Sequence, residues 1–396
     1  MDRRGRTVLE ALDGAPAGRE LLAAAAGLEG VHLVGGAVRD LLRGTAPREL
    51  DVVVEDDPAT LIGRLAAGAQ PSGSDPPGAA QTTVRHARFD TATVTTSGGR
   101  IDIARSRRER YPTPGALPEV EPAPLAEDLG RRDFTVNAIA VDLADGTVRA
   151  APHALEDLEA GRLRVLHDRS FLEDPTRLLR LARYRVRLGF AVETETAALA
   201  AASSLDGLSG ARIGAELRLA LLEPDPLAVL AGLDGLPLLI DAGLARCATQ
   251  LLPGDGRVDL MILGAATRGL TTEAWLESLE FTARERDVVL AVWDAERLAG
   301  AMAGAARASD LHAVLGRQPV EAVAVAGALG PGEAARSWLE DLRQVRLEIG
   351  GDDLLAAGVP PGPQVGRRLA RTLARKLDGE LGGGREAELA SALGPP

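Results

Sequence analysis

The sequence predicts an α/β or α+β domain followed by an all-helical half, and three observations carry that reading. Brief β-rich runs separated by turn residues fill the stretch from Val31 to Val141. From Ala154 onward the strand signals vanish, and Leu, Ala, Arg and Glu recur at helical spacing. The 396 residues, 45% apolar and 26% charged, can bury a core and suffice for two or more domains, which excludes a disordered chain.

Taken in order, residues 3–28 read as a short helical preamble. Strands are then expected at 31–34, 50–54, 82–89, 91–96, 101–104 and 136–141, with helices at 37–42 and 58–67 between them. Residues 70–80, rich in Pro, Gly and Ser, read as a flexible surface loop, and so do residues 111–124 with their five prolines. The helical half is punctuated near Pro224, Pro253, Pro319, Pro331 and Pro360. It has no fixed-period repeat and no sustained heptad, which argues for a helical array rather than a solenoid or coiled coil.

The formal charge of −12 argues against a polyanionic partner only on average. Up to Phe190 the chain holds 26 basic and 28 acidic residues, against 19 and 29 beyond it, so the acidity belongs to the second half. Cys247 is the single cysteine, and the five histidines offer no zinc-finger spacing. No apolar run reaches 18 residues, and residues 1–10 lack the apolar core of a signal peptide. These features point to a cytoplasmic protein with no membrane segment.

Four motifs can carry chemistry. In Leu33-Val34-Gly35-Gly36-Ala37-Val38-Arg39-Asp40 a strand ends in two glycines and enters a helix. Glycines let the backbone approach an anion, the helix start supplies free N–H groups, and Arg39 can grip a phosphate with two hydrogen bonds. The plainer reading is an ordinary strand-to-helix turn. Next, Glu49 and Asp51 flank Leu50 at the opening of an apolar strand, so both carboxylates project to one side. Asp102 lies between Ile101 and Ile103 on another strand. Were those strands adjacent, three carboxylates would converge beside the diglycine turn, the arrangement that two Mg²⁺ ions acting on a phosphoryl group require.

The third motif runs from Asp128 to Ala138, DLGRRDFTVNA. Arg131 and Arg132 can bind phosphate, Asp133 can accept from a ribose hydroxyl, and Asn137 can hold the turn. The fourth is Glu173-Asp174-Pro175-Thr176-Arg177, with Asp174 as helix N-cap and Pro175 as first helical residue. Asp174 and Arg177 are then neighbours on a helix, an acceptor beside a fork of donors. Cytosine and adenine each show an exocyclic amine next to a ring-nitrogen acceptor and match such a pair, whereas uracil and guanine put a carbonyl where the amine would be. Arg180, Arg183 and Arg187 follow on one face, as a solvated stripe or a nucleic-acid track.

Together these segments resemble the bacterial-type, class II tRNA nucleotidyltransferases that add CCA, and the bacterial poly(A) polymerases related to them. LVGGAVRD with ELD is similar to the family's Gly-Gly, Arg and Asp-x-Asp signature, DLGRRDFTVNAIAV to its RRDFT-x-NA segment, and EDPTRLLRLARYRVRLGF to its EDxxR template motif. Weaker likeness continues through Arg212 and Glu216, four apart, to GDDLLAAGVPPGPQVGRRL near the C-terminus, so the whole chain is covered.

The resemblance implies a polymerase-β-like nucleotidyltransferase head at 29–152 after an N-terminal helical segment at 1–28. A helical neck at 153–225 that recognises the base and a helical body and tail at 226–396 that bind tRNA would follow. It implies that Gly35, Gly36 and Arg39 hold the triphosphate of CTP or ATP and that Glu49, Asp51 and Asp102 bind Mg²⁺, Asp102 also activating the 3′ hydroxyl of tRNA. Arg132, Asp133 and Asn137 would serve the nucleotide's phosphate, ribose and turn, and Asp174, Arg177 and Arg180 its base-selecting helix. Residues 105–127 match the family's flexible loop, which is shortened in the CC-only variant, so full CCA addition is expected. Glu49 stands where the family usually has Asp, which moves the oxygens about one methylene outward and predicts reduced activity, since Mg²⁺ demands near-ideal geometry. Ala211 stands where a Glu commonly precedes the neck arginine. Poly(A) synthesis and a catalytically silent RNA-binding relative are the alternatives.

Overall fold

The protein is described from a computed structural model covering residues 2–68, 83–86 and 91–395. The chain divides into two compact units, Met1–Ser209 and Gly210–Pro396.

The first unit opens with two helices rather than one, α1 (Arg3–Gly14) and α2 (Pro16–Ala25), because Pro16 cannot continue a helix but starts one well. Then come β1 (Val31–Val34), α3 (Gly35–Leu42), β2 (Leu50–Val54), α4 (Ala59–Gly68), β3 (Thr83–His86), β4 (Thr91–Thr96) and β5 (Gly99–Arg105). The hairpin β6 (Arg107–Arg110) and β7 (Glu119–Pro122) leads to α5 (Leu125–Gly130), a 3₁₀ turn at Thr135–Asn137, β8 (Ile139–Asp142) and β9 (Val148–Ala150). The unit closes with α6 (Ala154–Ala160), β10 (Arg162–Leu163), α7 (Ser170–Glu173), α8 (Thr176–Leu188), β11 (Ala191–Val192) and α9 (Thr194–Ala201).

Seven strands form one mixed sheet in the order β3-β4-β5-β2-β1-β8-β9. Only β2 and β5 pair in parallel, with Asp51 opposite Asp102; the other pairs are antiparallel. Alternation along β2 and β5 sends Leu50, Val52, Ile101 and Ile103 into the larger core with α1 to α4. Asp51 and Asp102 therefore face the other side. There Val34, Val53, Ala138 and Ala140 pack on Leu125 and Leu129 of α5. A third cluster around Phe134, Phe171 and Tyr184 seats α7 and α8 on the segment that follows α5.

Four sequence expectations need correction. Residues 136–141 do not form one strand: Val136 and Asn137 belong to the 3₁₀ turn, and the strand starts at Ile139. Residues 111–124 are not a plain loop, because β7 pairs with β6 and Arg108 bridges Glu121 across the register at 3.0 Å. Pro112, Pro114 and Pro118 lie in the connection, where no ladder bond is needed. Strands do not end before Ala154, since β9 is followed by β10 and β11, which pair in parallel. Helix α8 begins at Thr176, one residue later than expected, although the Asp174 carboxylate still accepts from the Thr176 amide at 3.0 Å as a cap does. The expected loop at 70–80 and the ends of the expected strand at 82–89 lie outside the described residues.

The second unit is helical from Gly210–Leu221 to Arg385–Leu393, with no strand among its described residues. No helix among the described residues is long and apolar enough to cross a membrane.

Candidate active site

Three carboxylates meet on one face of the sheet. One oxygen each from Glu49, Asp51 and Asp102 lies within 4.8 Å of the others, a spacing that one divalent cation can bridge. Asp51 and Asp102 arrive there by the parallel register of β2 and β5, and Glu49 by the bend that leads into β2. The extra methylene of Glu49 does not keep its carboxylate out of the group. Burial pushes the Asp51 carboxyl up to about 6, and the neighbouring Glu49 and Asp102 charges add to that rise. Thr93 on β4 donates to Asp102 at 2.5 Å, and Arg100 donates to it at 3.1 Å. Neither residue had a local signal, since their partner is defined only by strand pairing and by a shared face.

The glycine turn adjoins this trio. Gly35 has φ +68°, where a side chain is strained, and a Cβ there would come within 2.7 Å of the Arg132 guanidinium and 3.7 Å of Asp51. Gly36 is less constrained: its φ is negative, and a Cβ would meet Arg39 at 3.5 Å. The glycine requirement thus rests on Gly35. Arg132 is aimed at the turn by Asp128, which is fully buried and accepts from Arg131 and Arg132 at 2.6 and 3.0 Å. The Arg132 Nε is buried and has no hydrogen-bond partner among the described residues, while a terminal nitrogen of the same guanidinium faces the Gly35 turn. The i, i+3 and i, i+4 spacing of Asp128 to the two arginines is the sequence signal for this anchor.

Arg39, read from the sequence as a free phosphate grip, is instead 1% exposed. It donates to Asp40 at 2.8 Å and to the Asn137 side-chain carbonyl at 2.6 Å. Asn137 in turn donates to Asp133 at 2.9 Å, and Arg180 places two bonds on the other Asp133 oxygen, at 2.9 and 2.6 Å. Burial alone would raise the Asp133 pKa, but the Arg180 charge and the hydrogen bonds of Asn137 and Phe134 outweigh it and hold the group at about 2. The Tyr184 ring lies beneath this line, with the guanidinium carbons of Arg39, Arg180 and Arg183 at 5.4, 5.7 and 5.1 Å from its centre. Sequence reading passed over Tyr184; its place four residues after Arg180 is the trace of this role.

The arginine face of α8 is therefore neither a solvated stripe nor an open track. Arg180 turns to Asp133, Arg187 approaches Asp40 at 3.6 Å, and Arg183 is 5% exposed against Tyr184. Buried carboxylates need cations close by, and these arginines supply them. Arg177 also points inward, donating to the Ser170 hydroxyl and to the Arg131 carbonyl, both at 2.6 Å. Asp174 and Arg177 stand together at the start of α8, as their spacing predicts.

The Poly A polymerase head domain family matches residues 31–164. The CC-adding tRNA nucleotidyltransferase of Deinococcus radiodurans is 36% identical, over 88% of this chain and 85% of that protein. The chain belongs to the tRNA nucleotidyltransferase family. Among other tRNA nucleotidyltransferases, the A-adding enzyme of Geobacter sulfurreducens is 33% identical over 88% of this chain, which spans only 43% of that protein's length. A solved CCA-adding enzyme in complex with CTP superposes with a TM-score of 0.73 at 26% identity, covering 96% of both chains. The head fold is that of a nucleotidyltransferase, and the acidic trio suits a divalent metal.

Proposed function

We propose that this chain adds C, C and A to the 3′ end of tRNA from CTP and ATP, with no nucleic-acid template, releasing pyrophosphate at each step. The observation that carries the proposal is the meeting of Glu49, Asp51 and Asp102 beside the Gly35 turn in a chain of this family. An all-oxygen, anionic donor set suits Mg²⁺, and the raised proton affinity of Asp51, due first to burial and then to the Glu49 and Asp102 charges, is what a hard cation would relieve. When bound, such ions polarise the phosphate under attack and the attacking oxygen.

The chain's own residues supply the rest. The backbone at Gly35 and Gly36 cradles the triphosphate, and the Arg132 guanidinium, whose terminal nitrogen faces that turn, binds it. Arg39 and Asn137 act from behind, by fixing the turn and the Asp133 carboxylate, which already accepts from Phe134, from Asn137 and twice from Arg180, so a ribose hydroxyl takes the place of one of these donors. Asp102 takes the proton of the tRNA 3′ hydroxyl as that oxygen bonds to the α-phosphorus and the bond to pyrophosphate breaks. Asp174 accepts from the exocyclic amine of cytosine or adenine, while Arg177 donates to the ring nitrogen; Arg180 secures the helix to Asp133. This work belongs in the cytoplasm.

The test is incubation with Mg²⁺, labelled CTP, ATP and a tRNA transcript that ends at the discriminator base. Three added nucleotides are expected, and no incorporation would sink the proposal. One second reading has a specific basis: the Deinococcus relative is a CC-adding enzyme. Against it stands the β6–β7 hairpin with its intact connection. Products that stop after CC with both nucleotides present would select that reading, and long A tails from ATP alone would select poly(A) synthesis.

A further inference from the structure

Arg100 occupies the position of a cation. It lies two residues before Asp102 on β5, so the two side chains share a face. Its Nε donates to one Asp102 oxygen at 3.1 Å, its terminal nitrogen reaches the other at 2.9 Å, and the Nε is 3.9 Å from Glu49. Thr93 already donates to the first of those oxygens. Both Asp102 oxygens thus carry protein donors, and of the carboxylate's roughly four lone-pair sites about one is left for a metal while Arg100 stays. Beyond Asp102 and Glu49, Arg100 feels the Asp51 charge, and its side chain is 55% exposed, so the three carboxylates retain it and its route to solvent is open.

We propose that Arg100 is a built-in counter-ion of the metal-free enzyme, holding Asp102 and leaning on Glu49 until a divalent cation displaces it. This rests on the reading of Glu49, Asp51 and Asp102 as the metal site. Metal loading is then an exchange of one cation for another, and the threshold for metal is set partly by this arginine. Arg100 is a positioning residue: it acts through Asp102 and is absent from the reacting geometry once it has swung away.

The test is Mn²⁺ binding followed by electron paramagnetic resonance without nucleotide or tRNA, on the full chain, for the wild type, Arg100→Gln, Asp102→Asn and Arg336→Gln. The last, an exposed arginine of the second unit, controls for the loss of one positive charge. Arg100→Gln is expected to bind Mn²⁺ about three- to tenfold more tightly, the scale of a half-exposed ion pair, while Arg336→Gln stays within about twofold. In chelator, Arg100→Gln is expected to melt below the wild type, because three carboxylates lose their counter-charge, and saturating Mn²⁺ should close that gap. Equal or weaker Mn²⁺ binding by Arg100→Gln overturns the proposal, as does the same result with a raised KM for tRNA, which would make Arg100 an RNA contact. Mn²⁺ binding that survives Asp102→Asn, or that neither wild type nor Arg100→Gln shows, overturns the metal-site reading itself. Binding by Arg100→Gln alone would support the exchange.

Discussion

Asp133 and Arg180, 47 residues apart in the chain, are joined by two hydrogen bonds to a single carboxylate oxygen, at 2.9 and 2.6 Å. The pair ties helix α8 to the segment that carries Arg132, and it fixes a pH dependence. The folded-state pKa of Asp133, about 2, lies below its ordinary value of 3.8. Its contribution to stability is therefore complete above the ordinary value and is lost as pH falls through the folded one. Denaturant unfolding should show Asp133→Asn less stable than wild type by about 2 kcal/mol at pH 7. About half of that gap should vanish near pH 3, and a gap unchanged at pH 3 would refute the assignment.

Gly35 and Gly36 are adjacent, yet their replacement by alanine should differ. At Gly35 a Cβ meets Arg132 at 2.7 Å on a left-handed backbone, a cost of about 1–2 kcal/mol with displacement of the arginine we propose as the phosphate contact. Gly36→Ala meets only the tip of Arg39 at an ordinary 3.5 Å. Titration with a non-hydrolysable CTP analogue should show affinity falling about tenfold or more for Gly35→Ala and about threefold or less for Gly36→Ala. Equal losses would remove Gly35 from its special place.

Asp51→Asn separates stability from activity. Asp51 is crowded by Glu49 and Asp102, and like charges held together cost free energy in the absence of a cation. The variant should melt at or above the wild-type temperature in chelator while losing about a thousandfold or more in nucleotide incorporation. A variant that melts well below the wild type would show that the carboxylate is structural.

Much of this site was legible because two local rules govern it. Strand alternation put Asp51 and Asp102 on the face opposite Val52 and Ile103, and their meeting then needed only the adjacency of β2 and β5, which the alternation does not specify. The fork of Arg39 was not legible, because its partner Asn137 lies 98 residues away and only the packing of α3 on the 3₁₀ turn brings them together. The inward turn of Arg180 and Arg187 was hidden for the same reason: a stripe of arginines looks alike whether water or a distant buried aspartate faces it. Arg100 escaped notice because a charged residue near a hairpin turn is ordinary until Glu49 and Asp102 are seen around it. The proline-rich 111–124 segment misled because composition reports where prolines are, whereas the ladder of β6 and β7 depends only on the residues between them.

Ser170 offers a test of base selection that leaves the proposed base contacts in place. It is fully buried, and its hydroxyl accepts from one Arg177 nitrogen at 2.6 Å while the Arg131 carbonyl accepts from the other. With both anchors the guanidinium has one orientation, and its remaining donors define which ring edge fits; with one anchor it can pivot. Removing a hydrogen bond to a charged donor costs about 1.5–3 kcal/mol where the donor stays buried, but the Ser170 backbone carbonyl, already 3.4 Å from the same nitrogen, can take up part of it. Ser170→Ala should therefore keep the fold and much of the rate with CTP while the preference for CTP over UTP, measured as the ratio of kcat/KM, falls about five- to tenfold. A preference that survives intact while the CTP rate collapses would instead give Arg177 a role in holding α7 against α8, and base selection would have to rest on Asp174 alone.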